Sequence, residues 1–161
     1  MMSVDQIIRT AYPIFKGEID TPYGKIIFGR MWHSWEVDFF TSECESQKID
    51  VIWNLLEAPH GDIGTSKEVH SPIDDFDKPA DPISFCRDAD LILNALKSGQ
   101  KVFVHCHSGT GRTALALAIV LTKCGMSGYN ALSVVKETTM GPETDIQCQF
   151  VLDQEKTYEF L

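Results

Sequence analysis

KVFVHCHSGTGRT, residues 101–113, decides the fold. Its first five residues form a short, bounded apolar run, which reads as a strand buried on both faces of a sheet. Cys106 to Arg112 is a loop. Thr113 to Lys123 is helical in pattern and is closed by Gly125. In a parallel sheet, ligands bind where such strands end, and the first turn of the following helix offers unpaired N–H groups to an anion. The loop therefore reads as a phosphate cradle, in which Gly109 and Gly111 are expected to supply positive φ angles and close backbone approach. The amides of His107, Ser108, Gly109, Thr110 and Gly111 can then converge on one tetrahedral oxyanion.

Working outward, DVIWNL (residues 50–55) reads as a second buried strand, and residues 68–73 as a further short one. Asp81 followed by Pro82 predicts a helix start, with Phe85, Ala89, Ile92 and Leu96 at helical spacing and Gly99 as the stop. Helices are also expected over residues 129–138 and 143–160, around Met140, Gly141 and Pro142. Toward the N-terminus, Ser3 and Gln6 form a capping-box pattern for a short helix ending before Pro13. Thr-Pro-Tyr-Gly at 21–24 predicts a hairpin leading into a strand over 25–28. Ser34 predicts the cap of a helix reaching Gln47. Strands alternating with helices make this an α/β chain with a mostly parallel central sheet flanked by helices. A length of 161 residues without internal repeats suits one domain over 1–161.

Fourteen Lys and Arg against 23 Asp and Glu give a formal net charge of −9. That excludes a general nucleic-acid or anionic-membrane binder, which needs clustered basic residues. The longest apolar run, residues 114–121, is too short to span a bilayer. The N-terminus lacks the pattern of an export signal, so the expected compartment is the cytoplasm. Five widely spaced cysteines without a CxxC pair fit reduced thiols.

Cys106 sits at the base of the cradle, where a helix dipole, loop amides and a guanidinium all favour a negatively charged sulfur. Arg112 can fold back to hold two phosphate oxygens. Thr113 is placed to donate its hydroxyl to the sulfur. His105, Cys106 and His107 cannot converge on a metal while the strand continues, because consecutive side chains point to opposite faces. His105 is expected to hold the loop by hydrogen bonds. His33, His60 and His70 read as surface or loop residues, and Trp32, Trp35 and Trp53 as core or loop packing.

Taken together, His105-Cys106, five residues, and Arg112-Thr113, with Gly109 and Gly111 between, resemble the signature of the cysteine-based protein tyrosine phosphatase superfamily. The small layout is most similar to its atypical dual-specificity branch, and the resemblance runs from about Ile26 to Gln147. It implies a dual-specificity phosphatase-like domain that hydrolyses phosphotyrosine, and phosphoserine or phosphothreonine, in a phosphorylated protein through a phosphocysteine intermediate. No cofactor or metal is implied. The family also requires a general acid some thirty residues upstream of the cysteine. Matching Ile73-Asp74-Asp75-Phe76-Asp77 to the hydrophobic-x-Asp-aromatic pattern assigns that role to Asp75, with Asp74 and Asp77 as alternatives. Asp74 stands where proline is usual, and Ala114 where glycine is common. Residues 143–147 resemble the segment whose glutamine orients the hydrolytic water, which makes Gln147 the candidate, with Gln149 and Gln154 on the same helix. Three other readings are open: a pseudophosphatase that binds phosphorylated partners, a rhodanese-like sulfurtransferase, and a phosphatase of phosphoinositides or RNA 5′ ends. The signature loop carries no lysine, which disfavours the lipid.

Overall fold

The computed structural model describes residues 1–158, and for residues 5, 8–10 and 155–158 the backbone alone. In chain order the elements are α1 (Val4–Ala11), β1 (Phe15–Thr21), β2 (Gly24–Arg30), a 3₁₀ turn (Ser34–Glu36), α2 (Val37–Ser46), β3 (Val51–Asn54), β4 (Lys67–His70), α3 (Pro82–Lys97), β5 (Val102–Cys106), α4 (Gly111–Lys123), α5 (Gly128–Thr139) and α6 (Asp145–Tyr158). The helix expected over 143–160 reaches past the described residues at its far end. The sheet order is β1-β2-β5-β3-β4. Only the β1–β2 hairpin is antiparallel; β2, β5, β3 and β4 run parallel. The α/β class read from the sequence is the observed one.

Local chemistry sets the boundaries. Ser3 and Gln6 exchange the two hydrogen bonds of a capping box at α1. Asp81 accepts from the Ser84 amide at 3.0 Å with Pro82 opening α3. In the hairpin turn, Thr21 Oγ1 donates to the Gly24 carbonyl. Two elements depart from their expectation: the strand expected over 68–73 spans Lys67–His70, and the helix foreseen from Ser34 to Gln47 is a 3₁₀ turn followed by α2. The cause of the latter is Glu36, fully buried, whose carboxylate folds back to accept from the His33 amide and from both terminal nitrogens of Arg30, each at 2.9 Å. That clamp tightens the first turn.

Alternation along the strands creates two cores. Ile26, Phe28, Val51, Trp53, Val102 and Val104 face α3, α4, α5 and α6, while Ile27, Ile52 and Phe103 meet Trp32, Phe40 and Cys44 on the other side. Lying between β2 and β3, β5 is covered on both faces, and every one of its residues is buried. Residues 111–122 of α4 are buried as well, and residues 114–121 are apolar on every side of the helix. Cutting one of its leucines to alanine would cost about 2–5 kcal/mol. The loop joining β5 to α4 is therefore held at both ends by buried elements.

Candidate active site

Cys106 ends β5, opposite Arg30 of β2 in the parallel register. Its sulfur is 2% exposed as a residue and receives two donors, the Gly109 amide at 3.3 Å and Thr113 Oγ1 at 3.1 Å. Both stabilise negative charge on sulfur. Burial has the opposite effect on other thiols, pushing Cys44 up to about 12 and raising Cys124 and Cys148. Gly109 has φ +79°, and a Cβ there would lie 2.6 Å from the Gly29 carbonyl oxygen, so both expected reasons for glycine apply. Gly111 differs from the expectation. As the first residue of α4 it is not among the positive-φ glycines, and its constraint is space alone, since a Cβ would lie 2.5 Å from Glu143 Oε1. The exposed part of the loop is fixed by its carbonyls: His107 accepts from the Met31 amide and Ser108 from Lys16 Nζ. Thr110 caps α4, its carbonyl accepting from the Ala114 amide.

Arg112, at the second position of α4, is 4% exposed. A cation there is opposed by the helix dipole, so something negative must lie nearby. Glu57 supplies part of it, accepting from Nη1 at 2.7 Å, and Nη1 also donates to the Ile73 carbonyl at 3.0 Å. These bonds fix the guanidinium plane. Nη2 is 3.5 Å from Asp75 Oδ1, and Nε is buried without a hydrogen-bond acceptor among the described residues. Nε is thus a buried donor without a partner among them, beside an Nη2 that faces the exposed Asp75 carboxylate.

Beneath the loop lies His105, fully buried, with Nδ1 3.3 Å from the Cys106 carbonyl and Nε2 3.1 Å from Nε2 of His60. Burial first, then the charge of His60, pushes the His105 imidazole down to about 3. His60 was expected at the surface or in a loop; it is in a loop, but its side chain is only 12% exposed. Its Nδ1 is 2.6 Å from the Gly61 carbonyl and 3.2 Å from Glu68 Oε2. Burial alone would raise Glu68, yet the His60 amide, Asn54 Nδ2 and the Gly61 amide outweigh it and hold the carboxyl below its ordinary range. Trp32 packs in the core, stacked on Phe40 at 3.8 Å, with the rings of His60 and His105 edge-on to it.

Asp74, Asp75 and Asp77 all lie exposed on a turn closed by the Asp77 amide donating to the Asp74 carbonyl. Of the three, Asp75 is the one within ion-pair distance of Arg112. The turn is strapped to α6: Thr144 Oγ1 donates to the Phe76 carbonyl at 3.0 Å and Gln147 Nε2 to the Asp77 carbonyl at 3.2 Å. Gln147 Oε1 accepts from the Glu143 amide, so both halves of this fully buried carboxamide are engaged. No group of three or more His, Cys, Asp or Glu among the described residues is arranged to hold a metal ion.

The family model described as Tc-R-P, a DSP-PTPase phosphatase of polymorphic toxin systems, matches residues 42–126, more than half of the chain. The chain belongs to this DSP-PTPase family. A putative tyrosine phosphatase 197R of Invertebrate iridescent virus 6 is 33% identical over 89 residues, spanning 53% of this chain and 33% of the relative. The chain thus matches about a third of that relative's length. Among solved structures, the active form of Tk-PTP superposes with a TM-score of 0.71 at 25% identity, covering 90% of this chain and 98% of its own. PTPMT1 in complex with PI(5)P shares the fold at 13% identity, with a TM-score of 0.70 over 84% and 92% of the two chains.

In this phosphatase framework the sequence reading missed Glu57, Asn54, His60 and Glu68. Glu57 had a usable signal: it follows the carboxyl end of β3, the neighbour of β5, and such ends share the ligand side of a parallel sheet. His60 and Glu68 had none, because their meeting depends on how the loop between β3 and β4 folds back.

Proposed function

We propose that the chain is a cysteine-dependent phosphomonoester hydrolase acting on phosphorylated protein side chains, phosphotyrosine foremost. The observation that carries this is the buried pairing of a sulfur that accepts from Gly109 N and Thr113 Oγ1 with a guanidinium whose Nε has no acceptor among the described residues and whose Nη2 faces Asp75. The sulfur attacks phosphorus in line while Arg112 and the loop amides of residues 107–111 hold the three equatorial oxygens. The P–O bond breaks as the P–S bond forms, and Asp75 gives its proton to the departing oxygen. Water then attacks phosphorus, Asp75 takes back a proton, and Thr113 stabilises the leaving sulfur as inorganic phosphate departs. Gln147 serves this cycle by holding the acid turn through Asp77, and its second Nε2–H and second Oε1 lone pair remain to orient the water. His105 supports the Cys106 carbonyl.

The substrate reading is supported by a loop rim of exposed His107 and Ser108 without lysine inside the signature, which suits an aryl phosphate better than a polyanionic inositol headgroup. Hydrolysis of a phosphotyrosine peptide by wild type and Cys106→Ser, with PI(5)P vesicles in parallel, tests it. Peptide turnover that falls to background in the variant is expected. Turnover surviving the substitution would overturn the mechanism, and turnover of the lipid alone would overturn the substrate.

A further inference from the structure

Three contacts run in series beneath the nucleophile. Cys106 O lies against His105 Nδ1, His105 Nε2 against His60 Nε2, and His60 Nδ1 against Gly61 O and Glu68 Oε2. Both ends of the series are acceptors only: a carbonyl at one, and a carbonyl with a carboxylate at the other. Each contact needs one proton to be attractive, and two neutral imidazoles bring two. The series therefore closes with all three bonds made only when the pair of rings carries a third proton and one positive charge. His105 is the poor site for that charge, being deeper in the core and next to Arg112. His60 is the good one, because it faces the Glu68 carboxylate.

We propose that His60 is a positioning residue for this phosphatase centre: held as an imidazolium by Glu68, it donates to His105 and so locks His105 as the Nδ1–H donor to the Cys106 carbonyl. The inference rests on the function proposed above for its consequence, but not for its geometry. Without the third proton, one contact must set acceptor against acceptor. The longest, 3.3 Å at the Cys106 carbonyl, is the one that yields. The peptide at the end of β5 then loses its tether, and with it the aim of the sulfur and of the amides that follow. The charged and titratable groups around the pair are Glu68 from β4, Asp62 from the preceding loop, His105 from β5 and Arg112 from α4. Asp62 is already bound to the Glu68 amide and to Lys67, so Glu68 is the counter-ion that matters. Trp32 stands edge-on to both rings and closes that side of the pair.

Ring-nitrogen NMR of the wild-type protein at pH 7 tests the proton count directly. Protons on both nitrogens of His60 and on Nδ1 alone of His105 are expected. An unprotonated nitrogen on His60, or His105 protonated at Nε2, would overturn the proposal, whatever reaction the protein catalyses. Glu68→Gln and His60→Gln then test the coupling. Each is expected to move the His105 nitrogen signals and to slow both alkylation of Cys106 by iodoacetamide and turnover of an aryl phosphate, by about tenfold to a hundredfold. Unchanged alkylation in a folded variant would overturn the positioning role. If the wild type proves inactive on every phosphate ester, the function falls, while the nitrogen signals and the alkylation rates still decide this proposal.

Discussion

Acid should unfold this protein through one histidine. His105 is fully buried, and desolvation lowers its imidazole from 6.5 to about 3, with the charge of His60 adding to the effect. Above pH 6.5 neither the folded nor the unfolded chain protonates it, so its contribution to stability is complete. As pH falls below 6.5 the unfolded chain takes up a proton that the folded chain refuses, and stability drops by about 1.4 kcal/mol per pH unit until the folded group itself titrates near 3. At pH 5 the loss is about 2 kcal/mol relative to pH 7.5. For a chain of this size that lowers Tm by about 4–8 °C. The check is thermal unfolding followed by circular dichroism at several values between pH 7.5 and pH 5, for wild type and for His105→Gln. Surface carboxylates contribute alike to both proteins, so the difference between their slopes reports His105 together with its contact to His60. The variant should start less stable and lose about 4–8 °C less over this range. Parallel curves would refute the reasoning; His105→Phe gives the same test should the glutamine variant not fold.

Asp75→Asn should slow turnover of phenyl phosphate by about 10²–10⁴-fold and that of an activated nitrophenyl ester far less; equal losses on both would pass the acid role to Asp74 or Asp77. Glu57→Gln removes the carboxylate that fixes the Arg112 plane, so kcat/KM should fall about tenfold with little change in Tm. Unchanged kinetics would show that the Ile73 carbonyl suffices to orient the guanidinium. Gly109→Ala should cost about 2–5 kcal/mol, because φ is positive and the clashing atom is backbone. Gly111→Ala should stay within about 1 kcal/mol, because the Glu143 side chain can rotate away and alanine favours the helix. Denaturant titrations of the two variants separate these cases.

The central strand, the loop and α4 were legible because each rests on a local rule: a bounded apolar run, paired glycines, and an unbroken apolar helix with a glycine stop. The same holds for the Asp81-Pro82 start of α3 and the capping box at Ser3. Where side chains from distant segments decide, the chain was silent. Glu36 reshapes the start of α2 through Arg30, six residues back and on another element, so local propensity at Ser34 pointed to one continuous helix. His60 reads as a loop residue because nothing nearby in sequence marks it as a partner of His105, whereas Glu57 is marked only by following the carboxyl end of β3. Gly111 was expected to need a positive φ, but what crowds it is the flexible Glu143 side chain, on a segment 32 positions away. The sulfur, its two donors and the guanidinium came from one contiguous stretch and could be read there; most of their supports came from distant segments and could not.

The turn bearing Asp75 hangs from carbonyls clasped by Thr144 and Gln147, some seventy positions further along, while the anion bowl is mounted on β5 and α4. On the proposed mechanism, proton delivery and phosphate grip are thus carried on different elements that meet where Asp75 faces Arg112. On the same reading, grafting residues 144–147 from a relative would re-aim the donor and alter the range of leaving groups accepted, with affinity for inorganic phosphate left in place. A lineage could retune its choice of ester by drift in its last helix, without touching the signature by which it is recognised.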